Sequence, residues 1–103
     1  MNFEDFRSKA KQIKGVLQPN FIVYVECPKE YVPGAEQEDI GINATLVTNS
    51  ELKKANYFSY ATTIKKVFSE KIILEFIISE PYLHKFYNKI SGVDGAKIIE
   101  KEQ

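Results

Sequence analysis

Acidic side chains are the most chemically versatile residues in this sequence. Four of them lie within residues 28–39 and two more interrupt apolar segments: Glu30, Glu36, Glu38, Asp39, Glu26 and Glu75. Converging carboxylates with a lysine nearby can hold a divalent cation, because hard cations prefer oxygen ligands. One hypothesis is therefore a carboxylate-metal hydrolase, although the spacing defines no set of metal ligands. The other hypothesis is that the acidic loop faces a partner.

The sequence has no pattern typical of the other common catalytic chemistries. His84 is the only histidine, and no second histidine or cysteine stands at a metal-binding spacing from it. Cys27 is the only cysteine, and it alternates with Val23 and Val25, so we expect a buried thiol rather than a nucleophile. Phosphate-binding glycine loops and the nucleophile elbow of hydrolases are absent. The sequence therefore favours a non-catalytic protein without a cofactor.

Lysines and aromatic residues between positions 53 and 66 form a candidate nucleic-acid site. Rings that stack on bases beside ammonium groups suit a single strand. The candidate residues are Lys53, Lys54, Phe58, Lys65 and Lys66. Because 13 of the 14 basic residues are lysine, the chain has little guanidinium for bidentate recognition of bases or phosphates. Nucleic acid is therefore the second hypothesis for the partner, after protein.

Length and composition are typical of one soluble domain. The chain has 103 residues, of which 44% are hydrophobic and 27% are charged, close to globular usage. The 14 basic and 14 acidic residues cancel, so no overall field attracts nucleic acid or an anionic membrane. Uncharged apolar runs reach about five residues, against the ~20 that span a bilayer. We expect a single domain over residues 1–103, cytoplasmic because its lone cysteine cannot form an internal disulfide, with no membrane partner.

Apolar spacing and turn residues predict three helices and four strands. The helices cover residues 3–17, 48–68 and 80–90, and the strands cover residues 21–27, 40–47, 71–79 and 96–100. Asn2 and Ser79 are the expected N-caps of the first and third helices, and Thr48 with Glu51 forms an expected capping box for the second. The order αββαβαβ indicates an α+β domain whose four-stranded mixed sheet carries its helices mainly on one face.

The segment 48–68 is locally ambiguous. Thr62, Thr63 and Ile64 are β-branched, which favours a strand. At 100° per residue, however, its apolar residues, including Tyr57 and Tyr60, fall in one arc of about 120°. Strict alternation would place Lys66 on the same face as Ile64. We therefore predict a helix.

The face of the sheet opposite the helices is the leading functional candidate. The helices are expected on Val23, Val25, Ile42, Leu46, Leu74 and Phe76. A partner is then expected to contact the other face and the acidic loop, through Tyr24, Glu26, Asn43, Thr45, Glu75, Glu36, Glu38 and Asp39. Mixed apolar, aromatic and acidic residues are typical of a non-obligate interface, and the acidic loop would speed encounter with a basic partner. We interpret the chain as a small protein-binding module of inhibitor, immunity or adaptor type. There are two alternatives for this face: one of the helices covers it, or a homodimer buries it.

Overall fold

The computed structural model describes residues 1–44 and 47–100 and shows one small α+β domain. Its described helices are α1 (Phe3–Lys9), α2 (Ser50–Asn56) and α3 (Glu80–Ile90). Its described strands are β1 (Lys11–Ile13), β2 (Asn20–Pro28), β3 (Ala61–Val67), β4 (Lys71–Ser79) and β5 (Lys97–Ile99). The α+β class is confirmed. The predicted order and the mixed four-stranded sheet are wrong, because the order is αββαββαβ and the five strands are antiparallel.

Strands β2 and β4 form the centre of the sheet. They pair along their whole lengths, from Asn20 opposite Ser79 to Pro28 opposite Lys71. Strand β3 flanks β4, while β1 pairs with residues 20–22 of β2 and β5 pairs with residues 24–26 of β2. Apolar residues on both faces of β2 and β4 suit this central position. The strands predicted over 21–27 and 71–79 are therefore confirmed.

All three helices pack on the same side of the sheet. They contribute to one cluster the buried side chains of Phe6, Leu52, Ala55, Leu83, Phe86 and Ile90. The sheet contributes to the same cluster Phe21, Val23, Val25, Cys27, Ile72, Leu74, Phe76 and Ile78. Among the predicted core positions, Ile42 is wrong because its side chain is 54% exposed. Leu46 lies outside the described residues.

The second predicted helix is wrong beyond Asn56, because residues 61–67 form strand β3. A β-bulge between Ile64 and Lys66 shifts the register against β4. Lys66 therefore turns to the face opposite Ile64, and Val67 pairs with the buried Ile72. The bulge adds one residue to β3, so its side chains do not alternate strictly between the two faces of the sheet. The helix prediction for this segment depended on the assumption of strict alternation.

The helix predicted over residues 48–68 also assigned two aromatic residues to the core wrongly. Tyr57 is 83% exposed and Tyr60 is 61% exposed, although the arc assigned both to the core. They follow the short helix α2 instead of continuing it.

The first predicted helix is too long. Helix α1 begins at the expected cap, where Asn2 Oδ1 accepts a hydrogen bond from the Asp5 backbone N–H at 2.8 Å. It ends at Lys9, and β1 pairs with β2 in place of the predicted last turns. Leu17, which the helical spacing placed on the apolar face, is 95% exposed.

Of the strand predicted over 40–47, the described residues 40–44 and 47 show an isolated bridge between Asn43 and Thr63. Gly41 donates its N–H to the Ile64 carbonyl at 2.8 Å, and its φ of +93° lies outside the extended region. Ile40 is 38% exposed, so the predicted core face is wrong there, whereas Ala44 is buried. The preceding loop contains the 3₁₀ turns Lys29–Tyr31 and Gln37–Asp39 and is anchored by buried Val32 and Ala35.

Candidate functional site

The sheet has a second face that points away from the helices, and we call it the open face. Strand register places on it Lys11, Ile13, Ile22, Tyr24, Glu26, Ala61, Thr63, Lys66, Lys71, Ile73, Glu75, Ile77, Lys97 and Ile99. None of these residues belongs to the cluster that packs against the helices. The described helices therefore do not pack on this face, although Tyr24 and Ile73 on it are only 6% and 5% exposed.

The open face is arranged in cross-strand rows of different character. An apolar row pairs Ile22 with Ile77 and continues to Ala61 on β3, and Lys11 lies opposite Ile22 at its β1 end. The middle row contains Ile99, Tyr24, Glu75, Thr63 and Asn43. The third row contains Lys97, Glu26, Ile73 and Lys66. Apolar and charged contacts thus lie side by side at the usual spacing of paired strands.

A hydrogen-bonded group occupies the middle row. The Tyr24 hydroxyl donates to Glu75 Oε2 at 2.8 Å, and Lys65 Nζ lies 3.7 Å from the same oxygen. Tyr24 is only 6% exposed, because Ile99 and Glu75 flank it in the row. Burial, followed by the hydrogen bond to Glu75, raises the pKa of Tyr24 to about 12. The phenol is therefore protonated and held in place at neutral pH.

Charge is unevenly distributed over the open face. Glu26 bonds to Lys71 at 3.0 Å between Oε1 and Nζ, and Lys71 Nζ also lies 5.2 Å from the centre of the Phe68 ring. Among the described residues, the face and its margin carry two glutamates, Glu26 and Glu75. They carry five exposed lysines, Lys11, Lys65, Lys66, Lys71 and Lys97. The described part of this surface is therefore richer in lysine than in glutamate, although the whole chain is neutral.

The structure brings together only part of the predicted partner-binding set. Tyr24, Glu26 and Glu75 share the open face, and Asn43 joins their row through Thr63. Thr45 lies outside the described residues.

The acidic residues Glu36, Glu38 and Asp39 of the predicted loop lie at a 3₁₀ turn that contacts β3, and Asp39 lines a cavity together with Asn43. In this turn the Glu36 backbone N–H donates to Asp39 Oδ2 at 2.8 Å. Glu36 and Glu38 are exposed there. Across residues 1–44 and 47–100, no three acidic, histidine or cysteine side chains are grouped to hold a metal ion.

The predicted nucleic-acid residues do not share one helical face. Lys53 and Lys54 lie on α2, where Lys54 bonds to Glu51 at 2.8 Å, whereas Lys65 and Lys66 lie on β3. Phe58 packs partly against the core.

Sequence reasoning missed three lysines of the open face. Lys71 follows the alternation of Ile73 and Glu75 and could have been assigned from the sequence. Lys11 and Lys97 could not, because their positions depend on which strands lie beside β2.

The two other candidate reactive residues lie away from the open face. Cys27 is buried as predicted, and burial raises the pKa of its thiol to about 12. His84 is exposed on α3, also as predicted, with its ring centre 4.3 Å from that of Phe3. Cys27 therefore lacks the exposure and the lowered pKa of a reactive thiol.

No family model matches the chain, and neither the curated proteins nor the solved structures contain a significant match. Within the described part of the chain, no helix is both long enough and apolar enough to cross a bilayer.

Proposed function

We propose that this chain is a small non-catalytic protein-binding module of inhibitor, immunity or adaptor type, which docks its partner on the open face. The observation that carries the proposal is a sheet face on which none of the three described helices packs. Its apolar pair, Ile22 and Ile77, lies directly beside the Tyr24 and Glu75 pair. Apolar and charged side chains in adjacent rows are typical of a protein interface. The lone buried Cys27 supports a cytoplasmic location.

The charge of the open face selects the chemistry of the partner. Five lysines against two paired glutamates favour an acidic surface, because complementary charge speeds encounter and disfavours wrong partners. The same charge disfavours a homodimer with two open faces in contact. The acidic turn at Glu36, Glu38 and Asp39 would meet basic groups of the partner only at the edge of β3.

Nucleic acid is the second candidate, and the lysines of β3 favour it. Lys66 lies on the open face and Lys65 at its margin, where they add to Lys71 and Lys97. The ring of Tyr24 is 6% exposed, however, and so offers no surface on which a base could stack. Phosphate contacts alone would make binding fall steeply as salt rises from roughly 50 to 200 mM.

The test is a pull-down with the variant Ile22→Thr plus Ile77→Thr. Both substitutions keep a β-branched residue in the strand, so the fold is retained while the apolar pair is lost. The matched control is Ile40→Thr plus Ile42→Thr, which removes two exposed isoleucines elsewhere. We expect the wild type and the control to capture the same protein from extract and the sheet variant to lose it. Equal capture by all three proteins, measured at matched thermal stability, would contradict the proposal.

Salt and nuclease treatment separate the two candidate partners. Capture that survives nuclease and changes little with salt supports a protein partner. Capture that disappears with nuclease supports nucleic acid and overturns the leading proposal.

A further inference from the structure

One end of the molecule carries most of its exposed bulky side chains. It is the end where β2 begins and β4 ends, and we call it the hairpin end. Among the described residues nine large hydrophobic side chains are exposed, and five of them lie here: Val16, Leu17, Tyr57, Tyr60 and Tyr82. Concentrated apolar exposure of this kind marks an interaction surface.

The tip of the hairpin between β1 and β2 holds two apolar side chains in water. Val16 is 101% exposed and Leu17 is 95% exposed. The loop is tightly folded at Gly15, since a Cβ there would lie 1.9 Å from the Gln18 carbonyl oxygen. The C-terminal side of this loop is held by a hydrogen bond, which the Glu80 backbone N–H donates to the Pro19 carbonyl oxygen at 3.1 Å. The conformation therefore holds Val16 and Leu17 away from the protein.

Three tyrosines surround the base of this tip. Tyr60 accepts a hydrogen bond through its hydroxyl from Asn20 Nδ2 at 3.1 Å, at the first residue of β2. Ser79 pairs with Asn20 and lines an open cavity of about 280 Å³ together with Tyr57, Tyr60 and Tyr82. Tyrosine suits a boundary between water and an apolar phase, because its ring is apolar and its hydroxyl is polar.

The chain around the tip is basic. Residues 6–25 contain no acidic residue and carry Arg7, Lys9, Lys11 and Lys14. Lys14 adjoins the tip, and the Arg7 guanidinium lies 4.7 Å from the centre of the Phe21 ring at the base of the hairpin. Glu80 is an acidic residue near this base, held there through its backbone N–H.

We infer that the hairpin end binds the surface of an anionic membrane. Val16 and Leu17 enter the boundary between headgroups and acyl chains, the tyrosines lie at headgroup depth, and the basic residues face anionic lipid. A bilayer accepts a convex apolar tip without a complementary pocket. Two copies of the chain meeting at this end would bring their lysines together. Such contact needs no spanning helix, and it does not depend on the Ile22 and Ile77 pair of the open face.

The test is flotation of the full chain with phosphatidylcholine vesicles, with and without phosphatidylserine. We expect binding to the anionic vesicles that weakens with salt. Replacing both tip residues, Val16→Ser plus Leu17→Ser, should lower partitioning by about ten-fold or more. Lys14→Gln should lower it by about five-fold. The matched control Ile40→Ser plus Ile42→Ser should float like the wild type.

Two results would overturn the inference. One is wild-type protein that does not float with anionic vesicles, and the other is a folded tip variant that floats as well as the wild type. Self-association in sedimentation velocity that the tip variant abolishes, without flotation, would assign the tip to a second copy instead. If the tip variant does not fold, the Lys14→Gln and lipid-charge comparisons decide. Capture of a protein through Ile22 and Ile77 is measured separately, so the two proposals can fail independently.

Discussion

The Tyr24 hydroxyl fixes the centre of the open face. It donates to Glu75, which also faces Lys65, so one carboxylate is shared between a phenol and an ammonium. A partly buried carboxylate without such partners would be costly, since buried charge must be paired or hydrogen-bonded. For the docking proposed above, this group would give the surface a defined shape in advance, which lowers the entropy cost of binding.

Tyr24→Phe should destabilise the fold by about 1.5 kcal/mol, because it removes a hydrogen bond to a charged acceptor. It should also change the pH dependence. The folded protein holds the Tyr24 proton up to a pKa of about 12, against 10.0 for an ordinary tyrosine, so the unfolded chain releases that proton first. The free energy of unfolding should therefore be undiminished below pH 10 and fall toward pH 12. Urea titrations across this range measure it, and the Phe variant should show a smaller alkaline loss.

Tyr57→Phe is the matched control for this prediction. The Tyr57 side chain is 83% exposed, so its substitution should leave the neutral-pH stability nearly unchanged. Identical alkaline curves for the wild type and Tyr24→Phe would show that the hydroxyl of Tyr24 does not couple proton release to unfolding.

At the residue scale, the alternation of side chains along a strand was sufficient to predict the face on which part of the candidate site lies. Tyr24, Glu26 and Glu75 lie on strongly alternating strands, so their common face follows from a period of two. The burial of Cys27 follows from the same pattern. The 6% exposure of Tyr24 does not, because it results from Ile99 and Glu75 on neighbouring strands.

At the scale of elements, the ends of helices and strands were predicted correctly where the capping residue, the apolar pattern and a turn residue all indicated the same position. Strand β4 and helix α3 adjoin at Ser79, the expected cap, and β4 covers residues 71–79 as predicted. Strand β3 was missed because the bulge before Lys66 interrupts its alternation and lets a helical period fit as well. Strand β1 was missed because three residues gain a strand conformation only by pairing with β2.

Helix α2 offers a direct test of a corrected boundary. The sequence indicated Thr48 as its cap, whereas Asn49 Oδ1 accepts the Leu52 N–H at 2.8 Å and Thr48 instead donates to the Glu30 carbonyl at 3.0 Å. Asn49→Ala should lower the free energy of unfolding by about 1 kcal/mol. Thr48→Ala should lower it by about 0.5 kcal/mol, as expected for one exposed hydrogen bond. Urea denaturation measures both losses. A larger loss from Thr48→Ala than from Asn49→Ala would identify Thr48 as the N-cap of α2.

At the scale of the whole molecule, a neutral chain forms surfaces of different character. The helices cover one side of the sheet, the described part of the open face is richer in lysine than in glutamate, and the acidic turn lies beside β3. Strand order creates this arrangement, since β1 and β5 bring Lys11 and Lys97 to β2 from distant parts of the sequence. Local patterns contain no information about strand order, so this part of the site could not be predicted from the sequence.

A photoreactive amino acid placed at position 77 tests the docking of a protein on the open face most directly. Ile77 is partly exposed in the apolar row of that face, and position 85 on α3 is an exposed control on the helical side. After irradiation in cells, we predict a discrete protein adduct from position 77 and none from position 85. A discrete adduct from position 85 alone, or the absence of any adduct from position 77, would contradict the account.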